Sequence, residues 1–349
     1  MLRQLATLTR RVPAAGPRAL AVAVYGGPDG QLLDAKDNGV EGVACVDDAA
    51  RACGLLCRLW AATGNRAIRA WAEGLLDFVL WMRAGDGGWL NFVYDWEGSR
   101  NVDGPTSAPG VNFWQARATC ALADAACILG HETAREALGE ALATAAAASP
   151  PSDVRTLHAL AAIDLLRHAT DPWLAARLVD WCDEIASTRS GVTLLNYPEE
   201  PGRPHLWGHV QEAALIDAGA MLGREDLREA AVESANSVFV DVIRSGFDLP
   251  QVRAYDVQSA VFVMDRLAQG TGDSQYGELG RMARNWFAGR NSTGVPTYNQ
   301  SRGRVFDGID GRKVNPDSGA ESNVAAGLAL LNDPMVLELA RTWVGRGSA

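Results

Sequence analysis

The chain alternates between two kinds of helix-forming segment. In the first kind, apolar residues cover nearly the whole helical circumference, and Gly, Pro and Asn separate one segment from the next. A helix without a polar face must be surrounded by protein. The pattern therefore predicts six buried helices, at 47–62, 112–129, 153–167, 209–222, 254–268 and 319–331.

The second kind of segment is amphipathic, with an apolar stripe on one side and charged residues on the other. Such helices pack on a core with one face and meet water with the other. One follows each buried helix, at 65–84, 131–147, 171–188, 224–243, 273–288 and 334–345.

The connections between these helices differ in length according to direction. A buried helix passes into the next amphipathic helix through a short turn such as 63–65, whereas the return connections are often long, as at 85–111, 189–208 and 289–318. This alternation predicts an all-α fold, the (α/α)6 toroid, with long loops gathered at the N-termini of the inner helices. The main rival, a two-domain helical array or solenoid, would lack this asymmetry.

We expect one toroid domain over 1–349, in which 1–25 form an N-terminal helix and a lead-in segment. Arginines in 3–18 precede the short apolar run 19–24, an arrangement that faintly resembles a targeting peptide. The run is short, and helical spacing relates Leu2, Leu5, Leu8 and Val12. We therefore predict an ordinary first helix and a cytoplasmic protein.

Composition restricts the possible partners. The 349 residues include 32 Lys+Arg against 42 Asp+Glu, a formal net charge of −10, which disfavours nucleic acid as a partner. No apolar stretch of about 18 residues could span a bilayer, so we expect no membrane partner. A neutral or cationic small molecule fits this charge better, and the oligomeric state is not predicted.

Motifs for metals and cofactors are absent from the sequence. The six cysteines form no CxxC or Cys/His ligand spacing, and we expect reduced, mostly buried thiols. The segment 307–311 (DGIDG) lacks the alternation of an EF-hand loop, and neither GxGxxG nor a Walker A sequence occurs. We therefore expect neither a metal nor a cofactor.

The predicted starts of the inner helices, and the loops that lead into them, are rich in polar and aromatic residues. The candidate substrate-binding residues are Glu41, Trp89, Asp95, Trp96, Trp114, Gln115, Arg117, Tyr197, His205, Trp207, His209, Glu212, Tyr255, Asp256, Tyr298 and Asn323. Helix capping alone could explain single carboxylates, such as Asp47 or Asp48 as N-caps and Ser318 with Glu321 as a capping box. Capping does not require the accompanying rings, amides and guanidinium.

Carbohydrate recognition requires this mixture of side chains. Planar polar groups bind sugar hydroxyls, while aromatic rings pack on the C–H faces of pyranoses. Glycoside hydrolysis also needs one protonated and one ionised carboxyl group. We predict Asp48 and Glu321 as this pair, with Asp47 beside them as a third catalytic candidate, because ring closure brings the last inner helix next to the first. Glu41, Asp95, Glu212 and Asp256 are possible substitutes.

Two parts of the sequence resemble bacterial six-hairpin glycosidase-like domains, which are often attached to glycosyltransferases. The first is 41–51 (EGVACVDDAAR), and the second comprises 286–291 (WFAGRN), 294–298 (GVPTY), 307–309 (DGI) and 315–322 (NPDSGAES). Val46 and Ala49 replace the Thr and Asn of that family. The resemblance implies the six-hairpin toroid and a relation to carbohydrate-active proteins, without specifying a reaction.

Three functions remain open on the sequence. A glycoside hydrolase that uses the paired carboxylates is the leading hypothesis. A sugar epimerase or isomerase would use His205 or His209 as its acid–base group, since imidazole titrates near neutral pH. The third is a non-catalytic module that binds glycans. Val46-Asp47-Asp48 weakly suggests a terpene cyclase, but neither DxDD nor DDxxD is present.

Overall fold

The computed structural model describes residues 1–33, 42–85, 87–200, 202 and 204–345. It contains two compact units. The first comprises Met1–Ala148, Asn299–Asp307 and Pro316–Ala349, and the second comprises Ser149–Tyr298 and Gly308–Asn315.

The described residues form fourteen α-helices. In chain order they are α1 (Leu2–Leu8), α2 (Val46–Thr63), α3 (Arg66–Trp81), α4 (Phe113–Asp124), α5 (Glu132–Ala146), α6 (Ser152–Leu166), α7 (Pro172–Ser187), α8 (Gln211–Leu222), α9 (Glu225–Val238), α10 (Val240–Arg244), α11 (Ala254–Thr271), α12 (Ser274–Arg284), α13 (Ala320–Ala329) and α14 (Pro334–Arg341). A π-helical turn, Ala125–Leu129, extends α4.

Short strands lie between the helices. They are β1 (Thr9–Arg11), β2 (Leu20–Val22), β3 (Ala44–Cys45), β4 (Phe92–Val93), β5 (Arg189–Ser190), β6 (Thr193–Leu194), β7 (Gln251–Arg253), β8 (Tyr298–Asn299), β9 (Arg304–Val305), β10 (Gly308–Asp310) and β11 (Lys313–Asn315). The pairs β1–β2, β3–β4 and β5–β6 are antiparallel, and β10 lies between β7 and β11. Thr9 is opposite Val22 in the first pair. Pairing of β3 with β4 fixes the backbone that leads into α2.

Helix α2 is the central element of the first unit. It packs against α3, α4, α13 and α14, and its apolar residues from Val46 to Leu59 are buried. Gly327 allows α13 to approach α2 closely, since a Cβ atom there would lie 2.5 Å from Leu55 Cδ2. This packing brings the beginning of α13 next to the beginning of α2.

The second unit has the same layering of buried and amphipathic helices. Helices α6, α8 and α11 form its interior, where α8 packs against both α6 and α11. Each of the three packs on the amphipathic helix that follows it, namely α7, α9 and α12. The starts of α6 and α8 carry the polar residues of this unit's candidate site.

The predicted helices correspond closely to those in the structure. Left-handed glycines such as Gly64 (φ 67°) and Gly223 (φ 69°) end buried helices where the sequence punctuation predicted an end. Several predicted helices extend beyond those in the structure, such as 273–288 against α12 and 334–345 against α14. The first helix ends at Leu8, before β1, and the segment 224–243 is divided into α9 and α10 at Phe239. Among the described residues, no helix has the length and apolar character needed to cross a membrane.

Candidate active site

The beginning of α2 carries two adjacent carboxylates, and a thiol caps the helix. Cys45 is the N-cap residue, and its Sγ accepts a hydrogen bond from the backbone N–H of Asp48 at 3.4 Å. The same thiol lies 3.4 Å from Asp48 Oδ2, to which it donates. Asp47 and Asp48 therefore occupy the first turn of α2, and the interpretation of either as its N-cap is wrong.

Arg51 connects three carboxylates at this helix start. Its Nε lies 3.0 Å from Asp47 Oδ1, and its Nη2 lies 2.7 Å from Asp48 Oδ1. The same Nη2 is 3.0 Å from Glu321 Oε1, although residues 51 and 321 are 270 positions apart in the chain. Arg117, on α4, forms a second ion pair with Asp47. One guanidinium thus holds the two predicted catalytic carboxylates together.

The two aspartates differ in electrostatic environment. Burial alone would raise the pKa of Asp47, but the Arg117 and Arg51 guanidiniums outweigh it and hold this pKa below its ordinary value. Burial raises the pKa of Asp48 to about 7, and the negative charges of Glu321 and Asp47 add to this, against the opposing effect of Arg51. Near neutral pH, Asp47 is therefore ionised while Asp48 is partly protonated.

Glu321 extends from the first turn of α13 towards Arg51. The predicted capping box at Ser318 and Glu321 is wrong, because Gly319 is the N-cap and Ser318 Oγ donates to the carbonyl of Val305. The Glu321 side chain is 45 % exposed, against 5 % for Asp48. It is therefore the solvent-facing member of the pair.

Asp307 and Tyr25 lie close to this pair. Ser322 Oγ donates to Asp307 Oδ1 at 2.6 Å, and burial raises the pKa of Asp307. Burial also raises the pKa of Tyr25, with further contributions from the charges of Glu321, Asp307 and Asp48. Carboxylates from three segments of the chain therefore lie close to Tyr25.

The separation of Asp48 and Glu321 bears on their possible chemistry. Two carboxylate oxygens that share one nitrogen at 2.7 and 3.0 Å are closer than the roughly 6.5–9.5 Å typical of inverting glycosidases. Asp48 is partly protonated near neutral pH, and a general acid must carry a proton. This arrangement places a proton donor and a carboxylate close enough together to flank one glycosidic bond.

A second cluster, in the second unit, contains a fully buried histidine–glutamate pair. His209 and Glu212 are both 0 % exposed, and His209 Nε2 lies 3.0 Å from Glu212 Oε1. Ser234 Oγ donates to that oxygen at 2.6 Å. Burial would raise the pKa of Glu212, but His209 and Ser234 outweigh it and lower this pKa. Glu212 is therefore an ionised, internally paired residue.

Asn196 joins the buried pair to a partly exposed histidine. Its Oδ1 lies 3.1 Å from His209 Nδ1, and its Nδ2 lies 3.4 Å from Asp153 Oδ2. His205 Nε2 is 3.5 Å from the same Asp153 oxygen, while His205 Nδ1 donates to the carbonyl of Trp207 at 2.9 Å. Both nitrogens of both histidines are thus directed towards protein groups.

Trp89, Trp114 and Gln115 are linked to one another by hydrogen bonds. Trp89 is 2 % exposed, and its indole N–H donates to the carbonyl of Val79, so this predicted substrate-binding ring lies in the protein interior. Gln115 is also buried, and it binds the backbone N–H and carbonyl of Trp89 at 3.0 and 2.7 Å. The indole N–H of Trp114 donates to the same carbonyl, and the Trp114 ring is half-buried. Of these three residues, Trp114 alone has a partly exposed side chain.

Several other predicted residues have local structural roles. Asp95 accepts backbone N–H groups in a turn, Asp256 accepts the N–H of Arg253 in a capping box, and buried Asn323 bonds to Val305, Ser318 and Gly319. The side chains of Trp96, Tyr197, Tyr255 and Tyr298 are half-buried. Glu41 lies outside the described residues.

Several residues of these clusters are missing from the sequence-predicted set, and five of them show why. Arg51 was detectable, because it follows Asp47 and Asp48 by four and three positions, the spacing of helical ion pairs. Asp153 begins the predicted buried helix 153–167, a position like that of Asp47 in 47–62. Cys45, Tyr25 and Asn196 had no comparable signal, because their roles depend on contacts made in the folded chain.

Comparisons with known proteins identify the fold. No protein-family model and no curated protein matches the sequence. A cellobiose 2-epimerase from Bacillus thermoamylovorans B4167 is similar in structure, with a TM-score of 0.69, 12 % identity and coverage of 95 % of each chain. A D-mannose isomerase has a TM-score of 0.67 and 11 % identity, over 97 % of this chain and 96 % of that one. A family 76 glycoside hydrolase from a bovine Bacteroides thetaiotaomicron strain also has a TM-score of 0.67, at 10 % identity over 97 % and 76 %.

These likenesses confirm the fold predicted from the helix pattern. The chain is an all-α protein with the (α/α)6 toroid fold of six-hairpin glycosidase-like proteins. At 10–12 % identity the comparisons show the fold alone.

Proposed function

We propose that this protein is a glycoside hydrolase in which Asp48 is the general acid and Glu321 the second catalytic carboxylate. One observation carries the proposal. A nearly buried carboxyl with a pKa of about 7 and a half-exposed carboxylate share a single nitrogen of Arg51. This is the pairing of unlike acids that glycosidic bond cleavage requires.

The spacing of the pair favours retention of anomeric configuration. In that mechanism a Glu321 oxygen bonds to the anomeric carbon while the glycosidic C–O bond breaks, and the proton of Asp48 passes to the leaving oxygen. A water molecule then releases the sugar from Glu321, and Asp48 takes back a proton from that water. Arg51 holds the two carboxylates in register during both steps, and Asp47 remains ionised beside it.

The comparisons support a carbohydrate substrate for this site. The proteins similar in structure include a glycoside hydrolase, an isomerase named for mannose and an epimerase named for cellobiose. The net charge of −10 and the acidic surroundings of Glu321 favour a neutral oligosaccharide over an anionic one. Gluco- and manno-oligosaccharides are therefore the first substrates to test.

The test measures release of reducing sugar from gluco- and manno-oligosaccharides and from their aryl glycosides. Asp48→Asn and Glu321→Gln should each lower kcat by about 10²–10⁴-fold, the usual contribution of a positioned acid or base. The exposed Glu136 on α5 provides a matched control, and Glu136→Gln should retain the activity of the parent protein. Undiminished turnover in both site variants would remove the assignment.

A sugar epimerase or isomerase is the second candidate, because two proteins of this fold with those names cover nearly the whole chain. The histidine geometry makes this reaction the weaker proposal, because the ring nitrogens of His205 and His209 are directed towards protein groups. Incubation with cellobiose or mannose in deuterated water separates the two functions. Proton abstraction exchanges the C2 hydrogen, whereas hydrolysis does not. Saturable binding without any product would instead indicate a glycan-binding module.

A further inference from the structure

The segment that precedes α8 presents an aromatic ring to solvent. Trp207 is 37 % exposed, and the imidazole of His205 stacks on it with ring centroids 4.0 Å apart and an interplanar angle of 11°. His205 Nδ1 also donates to the carbonyl of Trp207. The ring of Tyr197 flanks the imidazole at 6.2 Å. His205 therefore supports this indole through its ring face and through a backbone hydrogen bond.

Buried groups hold His205 from its other side. Its Nε2 is itself buried and lies 3.5 Å from Asp153 Oδ2. Asp153 is 0 % exposed, and the amide of Asn196 lies 3.4 Å from both the Asp153 oxygen and His205 Nδ1. His205 Nδ1 donates to the Trp207 carbonyl, and its Nε2 faces the Asp153 carboxylate without forming a hydrogen bond among the described residues.

The same chain of contacts continues to the interior of the second unit. If the Asn196 amide were reversed, its oxygen would face the Asp153 carboxylate, so the observed orientation is the favourable one. Asn196 Oδ1 then accepts from His209 Nδ1, which leaves His209 Nε2 to bind Glu212. Five polar side chains are thus joined from Glu212 to His205.

A buried polar network of this kind needs a reason, because partly satisfied polar groups in a protein interior are costly. The network buries Glu212 completely, and Glu212 Oε1 binds both His209 Nε2 and Ser234 Oγ. The network holds His205 in one orientation, and His205 supports the partly exposed indole of Trp207.

We propose that Trp207 is a stacking subsite for a neutral pyranose ring, and that Asp153, Asn196 and His205 are the residues that position its indole. The C–H face of a pyranose is the ligand surface that packs on an indole. This proposal rests on the carbohydrate substrate proposed above, but it does not depend on the roles of Asp48 and Glu321.

The subsite is tested by following the indole N–H signals of the intact protein by NMR while cellotriose or α-1,6-mannotriose is added. Trp207→Phe identifies the Trp207 signal, which should shift on addition of at least one of the two sugars. Trp207→Ala should weaken binding of that sugar by about two- to tenfold, the effect of losing one aromatic contact. Trp173, an exposed tryptophan on α7, provides the control, and Trp173→Ala should bind as the parent protein does. A Trp207 signal that neither sugar moves would overturn the proposal.

The positioning role is tested with two further variants whose folding is checked by thermal melting. Asn196→Leu should raise the dissociation constant of the same sugar and, where the protein hydrolyses it, raise KM more than it lowers kcat. His205→Phe keeps a ring against Trp207 and should bind more tightly than His205→Ala. Equal affinities in these two histidine variants would contradict the role of His205 as a support.

The outcomes also separate this proposal from the proposed hydrolysis. A shift of the Trp207 signal in a protein that cleaves no sugar would retain the subsite and remove the hydrolase assignment. Hydrolysis by Trp207→Ala with an unchanged KM would retain the hydrolase assignment and remove the subsite.

Discussion

Asp47 and Asp48 are adjacent in the chain, yet the folded protein lowers the pKa of Asp47 and raises the pKa of Asp48. Asp47 faces two guanidiniums, whereas Asp48 shares Arg51 with Glu321 and is more deeply buried. In the helical turn, consecutive side chains project in directions about 100° apart, so neighbours in sequence meet different surroundings. The difference in protonation on which the proposed chemistry depends is therefore a property of the residues around α2.

Cys45 tunes this difference, and its substitution should shift the pH profile of hydrolysis. Burial is the main cause of the raised pKa of Asp48, and the hydrogen bond from the Cys45 thiol lowers it. Cys45→Ser supplies a stronger donor to the ionised form and should lower the pKa further. Because a general acid must be protonated, activity should then be lost at a lower pH than in the parent protein. Cys45→Ala should move the alkaline limb of kcat the other way.

A stability measurement and a control variant separate the effect of the thiol on Asp48 from its effect on folding. Loss of the cap in Cys45→Ala should also reduce the free energy of unfolding by about 0.5–2 kcal/mol, which is measured separately by urea denaturation. Cys182 is a buried thiol on α7, and Cys182→Ser should leave the pH profile unchanged. Identical alkaline limbs in Cys45→Ser, Cys45→Ala and the parent protein would show that the thiol does not influence Asp48.

At the scale of elements, the site depends on where α13 begins relative to α2. Gly319 is the N-cap of α13, and a Cβ atom there would lie 2.6 Å from the carbonyl oxygen of Val24. This is a contact with rigid backbone, so a larger residue must displace the start of the helix that carries Glu321. Its backbone angles (φ −79°, ψ −175°) are otherwise open to any residue.

Gly319→Ala should therefore be destabilising, by about 1–3 kcal/mol for an overpacked site, and should also lower hydrolytic activity. Gly139 provides the opposite case, because it lies inside α5 and its added Cβ would meet nothing within 4 Å. Gly139→Ala should stabilise the protein by roughly 0.5–1 kcal/mol through its higher helix propensity, without a change in activity. Urea denaturation of both variants tests the signs, and a Gly319→Ala protein as stable as the parent would contradict the packing argument.

The bounds of these elements were largely predictable, whereas their contacts were not. Apolar periodicity located α2, α6, α8 and α13 to within a few residues because it is set by short stretches of chain. The interpretation of Asp47, Asp48 and Ser318 as helix caps rested on residue type and was wrong, although such side chains commonly cap helices. Arg51 and the Val305 carbonyl offered these side chains stronger or nearer partners in the folded chain.

At the scale of the whole molecule, the titration of Asp48 should make the free energy of unfolding depend on pH. Its pKa rises from 3.8 in the unfolded chain to about 7 in the folded protein, so the folded state binds more protons between these values. This contribution to stability is fully present below pH 3.8 and is lost as the pH rises through about 7. The slope is at most about 1.4 kcal/mol per pH unit.

Asp48→Asn removes this titration, so the stability of the variant relative to the parent should increase between pH 5 and pH 8. Urea denaturation at the two pH values measures the difference, and titrating groups that do not interact with Asp48 cancel in the comparison. Asp103→Asn, at an exposed position, should show no such trend. A difference between Asp48→Asn and the parent that stays constant with pH would mean that Asp48 is ionised throughout.

The sequence by itself determined the fold class, because the periodicity of apolar residues and the lengths of connections are local features that survive at 10–12 % identity. It also located the polar helix starts from which both clusters are built. Only the tertiary structure decided which of these residues meet. Arg51 reaches Glu321 across 270 positions, Trp89 enters the core, and the nitrogens of His205 turn inward. Such pairings depend on long-range packing and on competition between partners, neither of which is encoded in a local pattern.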